Sequence, residues 1–211
     1  MLDEDYAKLV PAVSGLIGVL LGAALTALKE WQSARTSRAK QLGYLGVRMV
    51  CLLDRFSAGC AEVVTDDGLA DGQHNSEGCR EYQVKDPEFS PDGLDVDWRV
   101  LKPAMAFAIL DLPYNVEIAR HKIASVFEYE AGPPDYEEGF EERKLQFSRL
   151  GIAADNLATG LRRSAKLPYR IYEDWSPVQV MMDSIAQIER KREARKQAMT
   201  GEEDEESAAN A

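Results

Sequence analysis

Residues 9–28 read LVPAVSGLIGVLLGAALTAL, 20 residues without a charge, and this stretch decides how the rest of the chain is organised. As a helix it spans roughly 30 Å, the thickness of a bilayer's hydrocarbon core. A helix buried in a soluble protein seldom stays uncharged for about five turns. Pro11 falls in the first turn, where a missing N–H is no loss. The stretch therefore predicts a transmembrane helix from Leu9 to Leu28, preceded by a short extracytoplasmic N-terminus, 1–8.

The flanks orient it. Tyr6 and Trp31 stand just outside the two ends, where amphipathic rings settle at the headgroup level, and they are read as interface anchors. The N-terminal side carries Asp3, Glu4 and Asp5 with only Lys8, whereas the other side carries Lys29, Arg35, Arg38, Lys40 and Arg48 against Glu30. An excess of Lys and Arg marks the cytoplasmic side. The pattern predicts a single-pass protein of a bacterial inner membrane with its N-terminus outside. A cleaved signal peptide needs a basic start, a shorter apolar core and small residues before the cut. Here the start is acidic, and neither Ala24 with Thr26 nor Leu25 with Ala27 makes a good cleavage site. Along the span, Ser14, Gly18, Gly22 and Thr26 recur every fourth residue, with GxxxG at Gly18 and Gly22. Such a face of small side chains lets a second backbone approach closely, so these four residues are the helix-packing candidates.

Beyond the anchor, the chain of 211 residues leaves room for one domain of ordinary size. Leu42, Leu45, Met49, Leu52, Phe56, Cys60 and Val63 follow at spacings of three and four, the apolar stripe of an amphipathic helix. One long helix is expected from the bilayer to about Thr65, with Arg48, Asp54, Arg55 and Glu62 in water and Asp66, Asp67 and Gly68 as its stop. Residues 68–97 are rich in Gly, Asp, Ser and Asn and read as a long irregular loop, with at most a short extended piece near Tyr82 to Val84. A second helix is expected from Asp97 to Pro113 on Trp98, Leu101, Met105, Ile109 and Leu112. A third is expected to begin at Pro113 and carry Val116, Ile123 and Phe127 to Gly132. A longer one follows from Asp135, with Tyr136, Phe140, Phe147, Leu150, Ala154, Leu157 and Leu161 inside. Its neighbours Glu137, Glu138, Glu141, Glu142, Arg143 and Lys144 are read as solvated. The last helix opens on Ser176, Pro177, Val178 and Gln179, a capping pattern, and continues through Met181, Ile185 and Ile188. Charged residues then lead to an acidic run at 202–206, and the tail 198–211 is expected to be disordered. The fold class is all-α: a transmembrane helix continuing into an antiparallel helical bundle over 29–197.

Chemistry is sparse. A net charge of −11 opposes nucleic-acid binding, which depends on Lys and Arg neutralising phosphates. Cys51, Cys60 and Cys79 contain no CxxC pair and read as reduced thiols, with Cys51 a buried small hydrophobe. The intervals among Cys60, His74 and Cys79 fit no usual zinc spacing. Glu117 and His121, with Glu128 and Glu130 beyond them, lack the Glu-x-x-His spacing of bundle metal sites. Asp66, Asp67, Gly68, Asp71 and Gly72 match a calcium loop in composition alone. No Walker loop, GxSxG or HExxH occurs. No catalytic, cofactor or metal residue is assigned. The expected function is a membrane-anchored interaction or scaffold module. Its partners are the lipid bilayer and either a second copy or another protein. The alternatives are a membrane-tethered enzyme or metal-binding bundle, and an envelope-spanning protein of reversed topology.

Overall fold

The computed structural model describes the backbone from Leu2 to Ala209 and the side chains from Gly22 to Ala198. The described chain is all-helical. Helix α1 runs Leu2–Thr65, α2 Pro103–Tyr129, α3 Glu137–Ala165 and α4 Pro177–Ala209, with a short 3-10 turn at Trp98–Val100. Because α1 has 64 residues, it is roughly 96 Å long at the helical rise. Only its C-terminal third belongs to the bundle. Every described side chain from Gly22 to Gln41 is exposed, and burial begins with Leu45 and Met49.

Helix α3 is the centre of the bundle and packs against α1, α2 and α4. The contacts fix its direction. Arg143 near the start of α3 meets Asp66 just past the end of α1. Farther along, Gly151 lies against Cys60, and Ala165 at the end of α3 lies against Gly46. As α3 advances, α1 is met at ever lower numbers, so the two are antiparallel. The same holds for α2, where Phe127 meets Gly139 and Met105 meets Gly160, and for α4, where Met181 meets Gly151 and Arg195 meets Glu141. The apolar interior sits between these helices: Met49, Leu53, Phe56, Cys60 and Val63 from α1 close on Phe147, Ala154, Ala158 and Leu161 from α3. The stripe read along α1 is thus the bundle face. Gly151 matters for closeness, since a Cβ there would lie 2.7 Å from that of Cys60 and against the sulfur of Met181.

Several boundaries differ from the sequence reading. The helices expected on either side of Pro113 are one helix with Pro113 inside it. Proline removes a donor and crowds the carbonyl four residues back, yet Ile109, Leu112, Val116, Ala119 and Ile123 form one unbroken buried face along α2. Packing of that face on α3 outweighs the local penalty. At the other end, Pro103 disfavours helical geometry at Lys102, which is extended at φ −69° and ψ 139°. The expected helix start at Trp98 is therefore only the 3-10 turn, capped by the Asp97 carboxylate accepting from the Arg99 amide at 3.0 Å. The expected piece of extended chain at Tyr82 to Val84 pairs with no strand. Its amides at Gln83 and Val84 donate to the Asp66 side chain instead. The tail read as disordered over 198–211 continues as helical backbone through Ala209. Its Ala and Glu residues and Met199 are good helix formers, against the weaker Thr200, Gly201, Asp204 and Ser207.

Among the described residues no helix is long and apolar enough to cross a membrane. Side chains 9–21, most of the 9–28 stretch, lie outside the described ones.

Two substitutions test the packing account. Pro113→Ala restores a donor toward Ile109 and is expected to raise stability in urea unfolding by on the order of 1–3 kcal/mol. Gly151→Ala inserts a methyl where Cys60 and Met181 already meet and is expected to lower it by about 1–3 kcal/mol.

Candidate functional site

Charge is concentrated where the start of α3 meets the end of α1, the long loop and α4. Arg143 is 1% exposed, one of the largest fully buried side chains. Its Nη1 donates to Asp66 Oδ2 at 2.9 Å, Nη2 to the Val84 carbonyl at 2.5 Å, and both Nη2 and Nε to Asp86 Oδ1 at 2.9 and 3.2 Å. The guanidinium lies 4.0 Å from the centre of the Tyr82 ring, a stacked cation–π contact. Asp66 is equally committed. One oxygen accepts from the Gly68 amide at 2.9 Å, and the other accepts from Gln83, Val84 and Arg143. Gly68 has φ +77°, the left-handed backbone that glycine tolerates and that brings its amide back to Asp66.

Burial by itself raises the Asp66 pKa, but the amides of Val84 and Gly68 and the Arg143 guanidinium outweigh it and hold the carboxyl below its ordinary range. The same balance holds at Glu142. Burial raises it, and Arg192, the Gln146 amide and Arg149 together bring it down. Glu142 belongs to a seam between α3 and α4. Arg195 forks onto Glu141 at 2.8 and 3.1 Å, Arg192 reaches Glu142 at 2.8 Å, and Lys191 pairs with Glu137 and Glu141.

This overturns the reading of Glu141, Glu142 and Arg143 as solvated: all three are buried. Helix α4 lays its Lys and Arg residues over the acidic face, and the loop covers Arg143. Asp54 was likewise read as wet, yet its carboxylate is 9% exposed and accepts from Arg162 at 2.5 Å. Cys51 goes the other way and is exposed, while Cys60 is the buried thiol. Burial pushes Cys60 far above the ordinary thiol range, with the Asp86 charge adding to it, so it has no thiolate character at neutral pH. Tyr82, pushed to about 12 chiefly by burial, is also no acid.

The residues singled out in the sequence are not gathered here. Tyr6, Ser14 and Gly18 lie outside the described side chains. Gly22 and Thr26 are exposed on α1, with Thr26 Oγ1 donating to the Gly22 carbonyl at 2.9 Å, and Trp31 is 60% exposed with Arg35 5.4 Å from its ring centre. Glu117 and His121 are exposed on α2. His74 is paired with Asp135 at 3.2 Å, and Cys60 is packed in the apolar core. Among the described residues no group of three or more His, Cys, Asp or Glu is placed to hold a metal ion. Among the described residues the arrangement holds α1, the loop, α3 and α4 together by charge. No family model, curated protein or solved structure matches the chain.

Asp66 and Glu142 set the sign of the acid response. Their folded pKa values are depressed, so the stability they contribute is complete above the unfolded carboxylate range of about 4 and is lost as pH falls through the folded values. The urea midpoint is expected to hold between about pH 7 and pH 5 and to drop below about pH 4, with Asp66→Asn flattening that drop. Arg143→Met leaves Asp66 buried without its cation and is expected to cost about 3–5 kcal/mol in urea unfolding.

Proposed function

We propose that this chain is a single-pass membrane protein, with its N-terminus outside and its helical bundle on the cytoplasmic side. In this reading a helical stalk presents the bundle to a protein partner or to a second copy. The reading rests above all on α1: one helix runs from the uncharged stretch at 9–28 into the bundle, and Gly22 to Gln41 is exposed along its whole length. Over its described residues 22–41 the helix buries no side chain, and its apolar residues there need another environment, since Leu25 and Leu28 are 67% and 52% exposed.

The stalk fits the orientation. Between Leu28 and the first bundle residues, 29–41 is a helix of roughly 20 Å that carries Lys29, Arg35, Arg38 and Lys40 against Glu30. Trp31 and Arg35 stack on each other at the level of the headgroups. On the apolar side, the Thr26 hydroxyl is satisfied by its own helix at Gly22. At Gly22 and Thr26 the face that also carries Ser14 and Gly18 in the sequence is thus small and free of an unmet donor, which suits close approach of a second helix. Nothing lies within 4 Å of a Cβ placed on Gly22.

Alkaline extraction of membranes tests the anchor: the chain is expected to stay in the pellet, and release into the supernatant would remove it. A tag on the C-terminus is expected to resist protease in spheroplasts, and its digestion would reverse the orientation. Gly18→Ile combined with Gly22→Ile is expected to reduce crosslinked dimer in membranes several-fold; an unchanged yield would move self-association away from this face.

A further inference from the structure

Helix α4 is held on the bundle in two different ways along its length. From Val178 to Ile188 the contact is apolar: Met181 and Ile188 are buried, Val178 and Val180 are half-buried, and the Met181 sulfur fills the space beside Gly151 of α3. From Glu189 to Ala198 no side chain is buried, and both alanines there, Ala194 and Ala198, are exposed. The ties to α3 along that stretch are ionic. Lys191 pairs with Glu137 and Glu141, Arg192 reaches Glu142 and Arg195 reaches Glu141, both at 2.8 Å, and Arg149 lies 4.0 Å from Glu189.

These ties stand in water. The side chains of Lys191, Arg192 and Arg195 are 46%, 40% and 36% exposed, and ion pairs so placed contribute little one by one and weaken with salt. The screening length falls from about 10 Å at 0.1 M salt to about 3 Å at 1 M, the length of the pairs themselves. The Arg143 cage is different in kind, since Arg143 and Asp66 are each 1% exposed and a buried pair is screened far less. Nor does lifting the end of α4 strand a charge in the interior. Glu141 and Glu142 are covered by the α4 cations, so they regain water on that side as the cations leave, and the burial that acts against the ionised Glu142 is relieved in the same step.

We propose that the segment of α4 from Glu189 to Ala198 is a salt-released strap, which leaves the bundle as a unit at high ionic strength while Val178 to Ile188 stay docked, with Ile188 as the pivot. A cavity of about 570 Å³ lies beneath it, between the end of α2 and the start of α3. Lys122, Ser125 and Glu138 line it on the bundle side, and Arg192 and Arg195 close it from α4. Release opens this cavity and presents the carboxylates of Glu138, Glu141 and Glu142 to solvent. The strap lies wholly within the bundle and does not depend on the anchor.

The test uses the purified full-length chain. A carbodiimide joins a lysine amine to a carboxylate in contact with it, and peptide mass spectrometry reads the yield of Lys191 joined to Glu137 or Glu141. Lys85 and Glu88, 3.7 Å apart and three residues apart on the loop, give the reference yield, because the chain itself keeps them close. Between about 0.05 M and about 1 M sodium chloride the ratio of the two yields is expected to fall about fivefold. Over the same range the amides of 190–198 are expected to lose about tenfold of their protection from hydrogen exchange, since a short helix without its docking face is marginal, while those of 180–188 and of 147–161 hold theirs. Glu141→Gln combined with Glu142→Gln is expected to give 190–198 the high-salt exchange rate already at low salt. An unchanged crosslink ratio at 1 M would overturn the strap, and loss of protection at 180–188 in step with 190–198 would overturn the pivot. If the double variant fails to fold, the salt series on the unaltered chain decides by itself.

Discussion

One buried guanidinium organises this bundle. Arg143 joins the residue just past the end of α1, the loop that follows it and the helix at the centre, through Asp66, Val84, Asp86 and Tyr82. Desolvating an arginine costs several kcal/mol, about the scale of a whole domain's net stability. The cost is met only because the donors are matched to oxygens on all sides and a ring covers the flat face. The consequence is positional. A loop of some thirty residues with no strand of its own is held on the bundle because its carbonyl at Val84 and carboxylate at Asp86 complete that cage. Arg120 of α2 adds to it with an ion pair to Asp86 at 3.6 Å.

The seam between α3 and α4 follows the same logic with less burial. Apolar packing of α4 is confined mainly to Met181, Ile188 and the half-buried Val178 and Val180. Beyond Ile188 it is charge that continues the contact. Lys191, Arg192 and Arg195 recur at one and three residues on the face turned to Glu137, Glu141 and Glu142. Half-exposed ion pairs contribute modestly one by one, while forked and shared pairs among several residues contribute more as a network. The helix that carries this seam is accordingly the one whose docking responds most to salt and acid.

Part of this was legible in the residues. Apolar spacing of three and four located the bundle face of α1, the central helix and the opening of α4 at Ser176, where the hydroxyl lies 3.4 Å from the Gln179 amide. The long loop was visible from its composition. Arg143 was not, although a trace exists. The stripe on α3 passes from Phe140 to Phe147 with no apolar residue at 143, and the position left open is the one that Arg143 fills. Periodicity marks a face, and a charge on that face reads as an interruption until its partners are known. Asp66, Asp86 and Val84 lie 57 to 77 residues away, a separation that local spacing cannot bridge. Pro113 failed for a related reason: the rule that breaks a helix there is local, and the packing that overrides it comes from α3.

The sequence by itself determined the all-helical class, the long first helix with its uncharged stretch, and the charge asymmetry around that stretch. These depend on properties carried by neighbouring residues: side-chain period, helix propensity and the sign of nearby charges. Only the tertiary structure decided that α3 is central, that Glu141, Glu142 and Arg143 are interior, and that α2 runs through Pro113. Those outcomes depend on which distant groups become neighbours. The free energy of a charge turns on its surroundings far more than on its identity, so the same side chain that reads as solvated in the sequence becomes the tie at the centre of the fold.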